Sequence, residues 1–323
     1  MENTIKKPPM ERFILDIIQK SGILIILVLL FIVSSVFVGG FFSLVNLTNV
    51  MRQITVVTII ALGATFVIIL GHINVAYGSE IALIGCVTCK VMVASGSLTL
   101  SLFVGLSLGL AIGALNGCVI TWFKIPAFIM TLAVTTIARG IVLLFTNAIP
   151  ITGMAKQFAF LGQGSLGFMP VSVLILIVLF FVAFVLLKYT AFGRHLYATG
   201  GNESAAIASG VKTKSITRRA FLLDGLMTAV AGILMMSRMN SGQPASGVGY
   251  EFDAITAVVV GGTSLAGGSG SIVGTIIGAV IVGILNNILN LLNVNSYIQQ
   301  ITKGIIILVA VVFDMLGKRA RRA

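Results

Sequence analysis

The chain has 323 residues, 58% of them hydrophobic and only 9% charged, with a mean hydropathy of +1.12; water-soluble domains carry about 25% charged residues. Its formal charge of +12 would suit nucleic acid, but the cations gather at the ends of apolar runs instead of spreading over a face or interleaving with aromatic residues, which excludes that partner. What remains is an all-α, polytopic membrane protein.

In chain order, residues 1–22 hold Lys6, Lys7, Arg12 and Lys20. The apolar run that follows lacks the small-residue cleavage site of a signal peptide and reads as the first span. Runs long enough to cross ~30 Å of hydrocarbon lie at 23–42, 52–70, 79–95, 98–122, 125–146, 170–188, 219–238, 252–266, 271–291 and 298–316. They make about ten transmembrane helices in one domain, 1–323. The run at 252–266 is short and also fits a half-span or re-entrant segment; eight crossings is the other even count.

Residues 188–219 form a polar island in which Lys188, Arg194, Lys212, Lys214, Arg218 and Arg219 are opposed only by Glu203. The tail, 317–323, adds Lys318, Arg319, Arg321 and Arg322, so these stretches and 1–22 hold 14 of the 21 cations. Positive-inside counting places both termini and the island in the cytoplasm, as an even number of crossings requires. Within the island, Gly200 and Gly201 suit a turn, Asn202 a helix cap and Gly210 a helix stop. The helix between them is ~10 Å long, too short to stand alone in water. Ala205, Ala206 and Ala208 allow a partner surface to come close; an ordinary connecting loop fits the same letters.

Gly105, Gly109, Gly113 and Gly117 recur every four residues, and Gly274, Gly278 and Gly283 nearly repeat the device; such stripes let helices pack closely in lipid. Two polar breaks interrupt the apolar pattern, at Gly71–Glu80 and at Gly261–Gly270. Paired interruptions fit an internal repeat with a transport path, and they equally fit bent turns between ordinary helices. A path along them would draw on Asn74, Tyr77, Ser79 and Glu80 in the first and Thr263 and Ser264 in the second.

Ionisable groups inside spans cost roughly 2.5–3.5 kcal/mol each, which marks out Glu80, Lys90, Arg139, Asp224, Arg238 and Asp253. Lys90, Arg238 and Asp253 also fit span ends, where water relieves the cost. Asp224 either sits one turn into the bilayer or leans back toward Arg219. No catalytic constellation emerges. His72 and His195 have no partner pattern, Cys86 and Cys89 lack further metal ligands nearby and read as core, and no metal site is expected. The phosphate-wrapping G-x-x-x-x-G-K-[ST] motif is absent, because the position five before Gly317 is Val312. If ATP powers this protein, another chain binds it.

Residues 198–211 (ATGGNESAAIASGV), 249–270 (GYEFDAITAVVVGGTSLAGGSG) and 285–294 (LNNILNLLNV) with Ser296 and Tyr297 together resemble the permease subunit of bacterial ribose-type ABC importers. Residues 46–50 (NLTNV) and 126–132 (PAFIMTL) extend the likeness to nearly the whole chain. The resemblance implies a ten-helix, type II ABC importer-like permease in the bacterial inner membrane. It would form a dimer with a second copy or a sister permease, surrounded by membrane lipid. A cytoplasmic ABC ATPase subunit would carry ATP and Mg, and an extracytoplasmic binding protein would deliver a monosaccharide for alternating access; this chain itself would need no cofactor. The resemblance makes Gly201–Gly210 the coupling helix, engaging the ATPase through Gly201, Asn202, Glu203, Ala205, Ala206, Ser209 and Gly210.

Members of that family usually read GGIDLSxGS after the second span. Here the usual acid is the neutral Asn74, Glu80 stands where an apolar residue is common, and Asp224 replaces a small residue. Either the acid has moved by a few positions or the path suits a different ligand. A proton-coupled carrier working through Glu80 and Asp224 is the alternative.

Overall fold

The computed structural model describes residues 24–322 apart from 26, 33 and 37. The basic stretch expected at 1–22 therefore lies outside the described residues. A short apolar helix, α1 (Leu27–Val36), comes first. After it, Ser43 accepts a hydrogen bond from the Asn46 N–H and starts α2 (Leu44–Ile69). Every residue of α2 from Thr55 to Ile69 is buried, so α2 is the axis of the bundle. Its threonines survive there because Thr55, Thr58 and Thr65 each return their hydroxyl to the carbonyl four residues back, leaving no donor unspent in an apolar setting.

Around this axis stand α3 (Tyr77–Ser95), α4 (Leu98–Phe123), α5 (Ala127–Thr146), α7 (Val171–Tyr189), α10 (Thr213–Met239), α11 (Tyr250–Val260) and α12 (Ile272–Leu291), followed by α13 (Ser296–Arg322). Among the described residues, seven helices, α2, α3, α4, α5, α7, α10 and α12, are long and apolar enough to cross a membrane. The run expected as a span at 252–266 is instead α11, whose 11 residues are ~16 Å long, half a bilayer; residues 261–271 turn into α12. An eight-residue helix, α6 (Lys156–Gln163), and a two-stranded hairpin, β1 (Ser165–Leu166) with β2 (Met169–Pro170), fill the polar stretch before α7.

The glycine stripe of α4 faces α10: a Cβ on Gly113 would overlap the Phe221 carbonyl oxygen, and one on Gly117 would come within 2.9 Å of Arg218 Cα. Backbone thus lies on backbone, the contact that lipid-embedded helices favour.

The polar island is more helical than its loop-like composition suggests. Thr190 caps α8 (Ala191–Gly201), and Asn202 accepts from the Ala205 N–H to start α9 (Glu203–Ala208), six residues long. Gly200 and Gly201, expected to form a turn, end α8 instead, and the chain pivots at the extended Asn202. Close approach explains the glycine at 200, where a Cβ would overlap the Ile69 carbonyl oxygen.

Candidate functional site

Two non-helical segments enter the bundle. The first, residues 71–76, links α2 to α3; the second, 241–249, links α10 to the half-length α11. The second segment meets the first turn of α3, just beyond the first segment, at Gly247 and Gly78, where a Cβ on either would overlap the other's carbonyl oxygen and Gly247 takes φ +83°. Unpaired backbone is costly away from water, and one face of α5 supplies partners to both segments. Thr131 Oγ1 accepts the Val75 N–H at 3.3 Å, Thr135 Oγ1 lies 3.1 Å from the Val75 carbonyl oxygen, and Arg139 Nη1 donates to the carbonyls of Pro244 at 2.6 Å and Ser246 at 3.0 Å. These residues are four apart, the spacing that aligns side chains on one helix face.

Where the two segments and α5 converge, a cavity of about 350 Å³ opens, lined by Gly78, Ser79, Thr135, Thr136, Arg139, Val248 and Glu251. Glu251, in the first turn of α11, accepts the Gly249 N–H on Oε1, while its Oε2 is buried with no partner. A buried carboxylate oxygen without a donor is expensive. That oxygen packs against Gly78, so the polar groups that border the cavity are the Arg139 guanidinium and the side chains of Ser79, Thr135 and Thr136.

Beside the cavity lies a buried set of polar side chains. Asp224 on α10 turns away from Arg219; its Oδ2 accepts from Asn74 Nδ2 at 2.8 Å and its Oδ1 from the Tyr77 hydroxyl at 2.9 Å. Glu80 accepts from Asn116 Nδ2 of α4 at 3.2 Å. All five residues are 1–2% exposed. The two acids available to a proton-coupled carrier are thus engaged in tying α3 to α4 and α10.

The expected path residues divide accordingly. Ser79 lines the cavity, whereas Asn74, Tyr77 and Glu80 belong to the network. Thr263 and Ser264 lie in the turn from α11 to α12, buried but apart from the cavity. That turn joins the first break elsewhere: the Gly268 N–H donates to the Ile69 carbonyl at 2.8 Å, and Gly268 packs against Gly201. Both expected interruptions are non-helical, at 71–76 and 261–271, and a further non-helical segment, 241–249, borders the cavity with Arg139, Thr135, Thr136 and Glu251. The four-residue spacing of Thr131, Thr135 and Arg139 was the available signal. Asp253, read as a possible span-end acid, is buried and paired with Lys303 Nζ at 2.9 Å.

At the island, Ala206 alone of α9 is buried; Ser204, Ala205, Ile207 and Ala208 face outward, with Ile207 57% exposed. Sequence reasoning passed over Ile207, the largest apolar side chain of that surface. Glu203 of α9 reaches the first break electrostatically: burial lowers the pKa of His72, and the Glu203 carboxylate pulls it back up.

Long apolar helices interrupted by non-helical segments beside a cavity, with no nucleotide-wrapping motif in the sequence, fit the class of membrane permeases. The chain belongs to the family described as branched-chain amino acid transport system / permease component, whose match covers residues 46–311. It is 42% identical to a ribose import permease protein of Haemophilus influenzae over 97% of each chain. It is 42% identical to that of Bacillus subtilis over 92% of this chain and 93% of the relative. An L-arabinose transport system permease protein of Escherichia coli is 36% identical over 93% of this chain and 92% of the relative. No solved structure matches the chain significantly. The chain is thus a permease component of an ABC importer, and ATP hydrolysis falls to a separate subunit.

Proposed function

We propose that this chain forms the membrane path for a monosaccharide in an ATP-driven importer. The observation that carries this reading is the 42% identity to ribose import permeases along almost the full length. The cavity supports it: a guanidinium, a carboxyl-bearing residue and three hydroxyl-bearing side chains line it, a set that suits the donors and acceptors of a polyhydroxyl solute. In this reading Ser79, Thr135, Thr136, Arg139 and Glu251 touch the solute, while Asn74, Tyr77 and Glu80 hold the wall behind it. Thr263 and Ser264 support the turn through which movement arrives.

The drive enters at α9. Residues 188–219 face the cytoplasm, and an ABC ATPase charged with ATP and Mg grips Asn202–Ser209, with Ile207 as its apolar anchor and Ala205 beside it. Ala206 faces inward, and Gly201 and Gly210 set the ends of the lever. Because Gly200 and Gly201 rest on Ile69 and Gly268, displacing α9 moves the start of the first break and the turn after α11 together. Ten crossings in one domain, cytoplasmic termini including the tail at 317–323, a second permease as dimer partner and an extracytoplasmic sugar-binding protein complete the assembly in the inner membrane.

Uptake of labelled pentose into proteoliposomes holding this chain, its ATPase and its binding protein tests the reading. ATP-dependent accumulation that excess unlabelled ribose abolishes and excess leucine leaves intact is expected. Competition by leucine, or accumulation that follows a proton gradient without ATP, would overturn it.

A further inference from the structure

At the island end of α7 a second cavity, about 240 Å³, lies between α7, α8 and the start of α12, lined by Phe184, Leu187, Lys188, Arg194, Tyr197 and Val273 among others. Its walls have two chemistries. From Val171 to Leu187, α7 carries no charge, and its flank is open to the surroundings, with Phe181 57% and Val185 47% exposed. Lys188, the next residue, marks the level at which hydrocarbon gives way to water. Its ammonium curls back over the rings of Phe184 and Tyr189, 5.1 and 5.5 Å from their centroids, as expected at a headgroup boundary. Arg194 stands on the same rim, and among the described residues neither cation has a carboxylate within 4.0 Å. Below the rim, Phe184, Leu187 and the half-exposed Val273 continue the apolar surface of α7.

We propose that this cavity binds the headgroup of an anionic phospholipid, its phosphate between Lys188 and Arg194 and the upper part of an acyl chain along Phe184, Leu187 and Val273. A soluble anion would use the cations and leave the apolar wall idle. A protein docking on α9 would have no reason to reach down the flank of a membrane span. Tyr197, at the back of the cavity, donates its hydroxyl to the Gly270 carbonyl at 2.7 Å, which connects the lipid to the turn that also contacts Gly201.

The test is native mass spectrometry of the full-length permease equilibrated with equal amounts of phosphatidylglycerol and phosphatidylcholine. Wild type is expected to retain phosphatidylglycerol preferentially. The double variant Lys188→Gln/Arg194→Gln is expected to lose that preference by roughly 30-fold, the effect of two cations each contributing as a basic residue does at an anionic membrane surface. Val273→Glu keeps both cations, sets a carboxylate in the wall and is expected to lower retention as well. Lys212→Gln/Lys214→Gln, in the same island but outside the cavity, is expected to change nothing. An equal loss in that control, displacement of the lipid by millimolar inorganic phosphate, or unchanged lipid retention with loss of the ATPase from the double variant would each overturn the proposal.

Discussion

Ser79 and Glu80 are neighbours in the chain, yet they serve different surroundings of α3. Glu80 joins a buried set of hydrogen bonds that ties α3 to α4, whereas Ser79 borders an open cavity. Both carry polar side chains among apolar helices, so composition alone does not separate them. Access does. Buried hydrogen bonds hold helices together, whereas polar side chains bordering open space remain available to something that arrives.

The largest contrast is expected from removing the carboxylate on each side. Asp224→Ala strands Asn74 Nδ2 and the Tyr77 hydroxyl, and thermal unfolding in detergent is expected to report a loss of about 2–5 kcal/mol. Glu251→Ala removes one backbone hydrogen bond, to the Gly249 N–H, so a loss of only about 1 kcal/mol is expected while uptake collapses. Equal destabilisation by both variants would erase the distinction between network and cavity.

Arg139→Met is expected to fall between these extremes, because Arg139 belongs to both worlds. Its guanidinium holds the Pro244 and Ser246 carbonyls and also faces the cavity. Freeing two carbonyls should cost about 1–3 kcal/mol, and uptake should fall further than that loss explains. A milder probe is Glu251→Gln, which keeps the shape and loses the charge. Uptake by the reconstituted importer is expected to drop about tenfold, a difference of about 1.4 kcal/mol, with the unfolding midpoint unmoved. Unchanged uptake would remove Glu251 from the path.

Much of this architecture was legible in the letters. Apolar runs gave most of the long helices closely, since hydrocarbon thickness fixes their length, although α2 and α10 begin well before the runs at 52–70 and 219–238; the glycine spacing announced a close helix contact without naming α10. The breaks at residues 71–80 and 261–270 were legible too. The segment at 241–249 was not, because it carries no run of glycines like that at 261–270 and looks like an external loop. Only the pairing of Gly78 with Gly247 and the reach of Arg139 reveal that it returns into the bundle. Asp224 stood out as costly, but its partners lie 150 and 147 residues away, beyond any local pattern. On α9, the run of alanines did not say which faces out; helical phase turns Ala206 inward and Ala205 outward.

The smallest expected effect distinguishes the two hydroxyls that α5 offers to Val75. Thr131→Val leaves the Val75 N–H without an acceptor, and a buried donor that loses its partner costs about 1–3 kcal/mol. Thr135→Val takes a donor from the Val75 carbonyl, and carbonyls with two lone pairs tolerate partial satisfaction better than N–H groups do, so about 0.5–1 kcal/mol is expected. Thr135 also lines the cavity, whereas Thr131 does not. The ranking should therefore invert between assays: Thr131→Val lowers the unfolding midpoint more, and Thr135→Val lowers uptake more at equal folded protein. If both variants track stability alone, the face of α5 serves only as a scaffold, and recognition rests on Arg139 and Glu251.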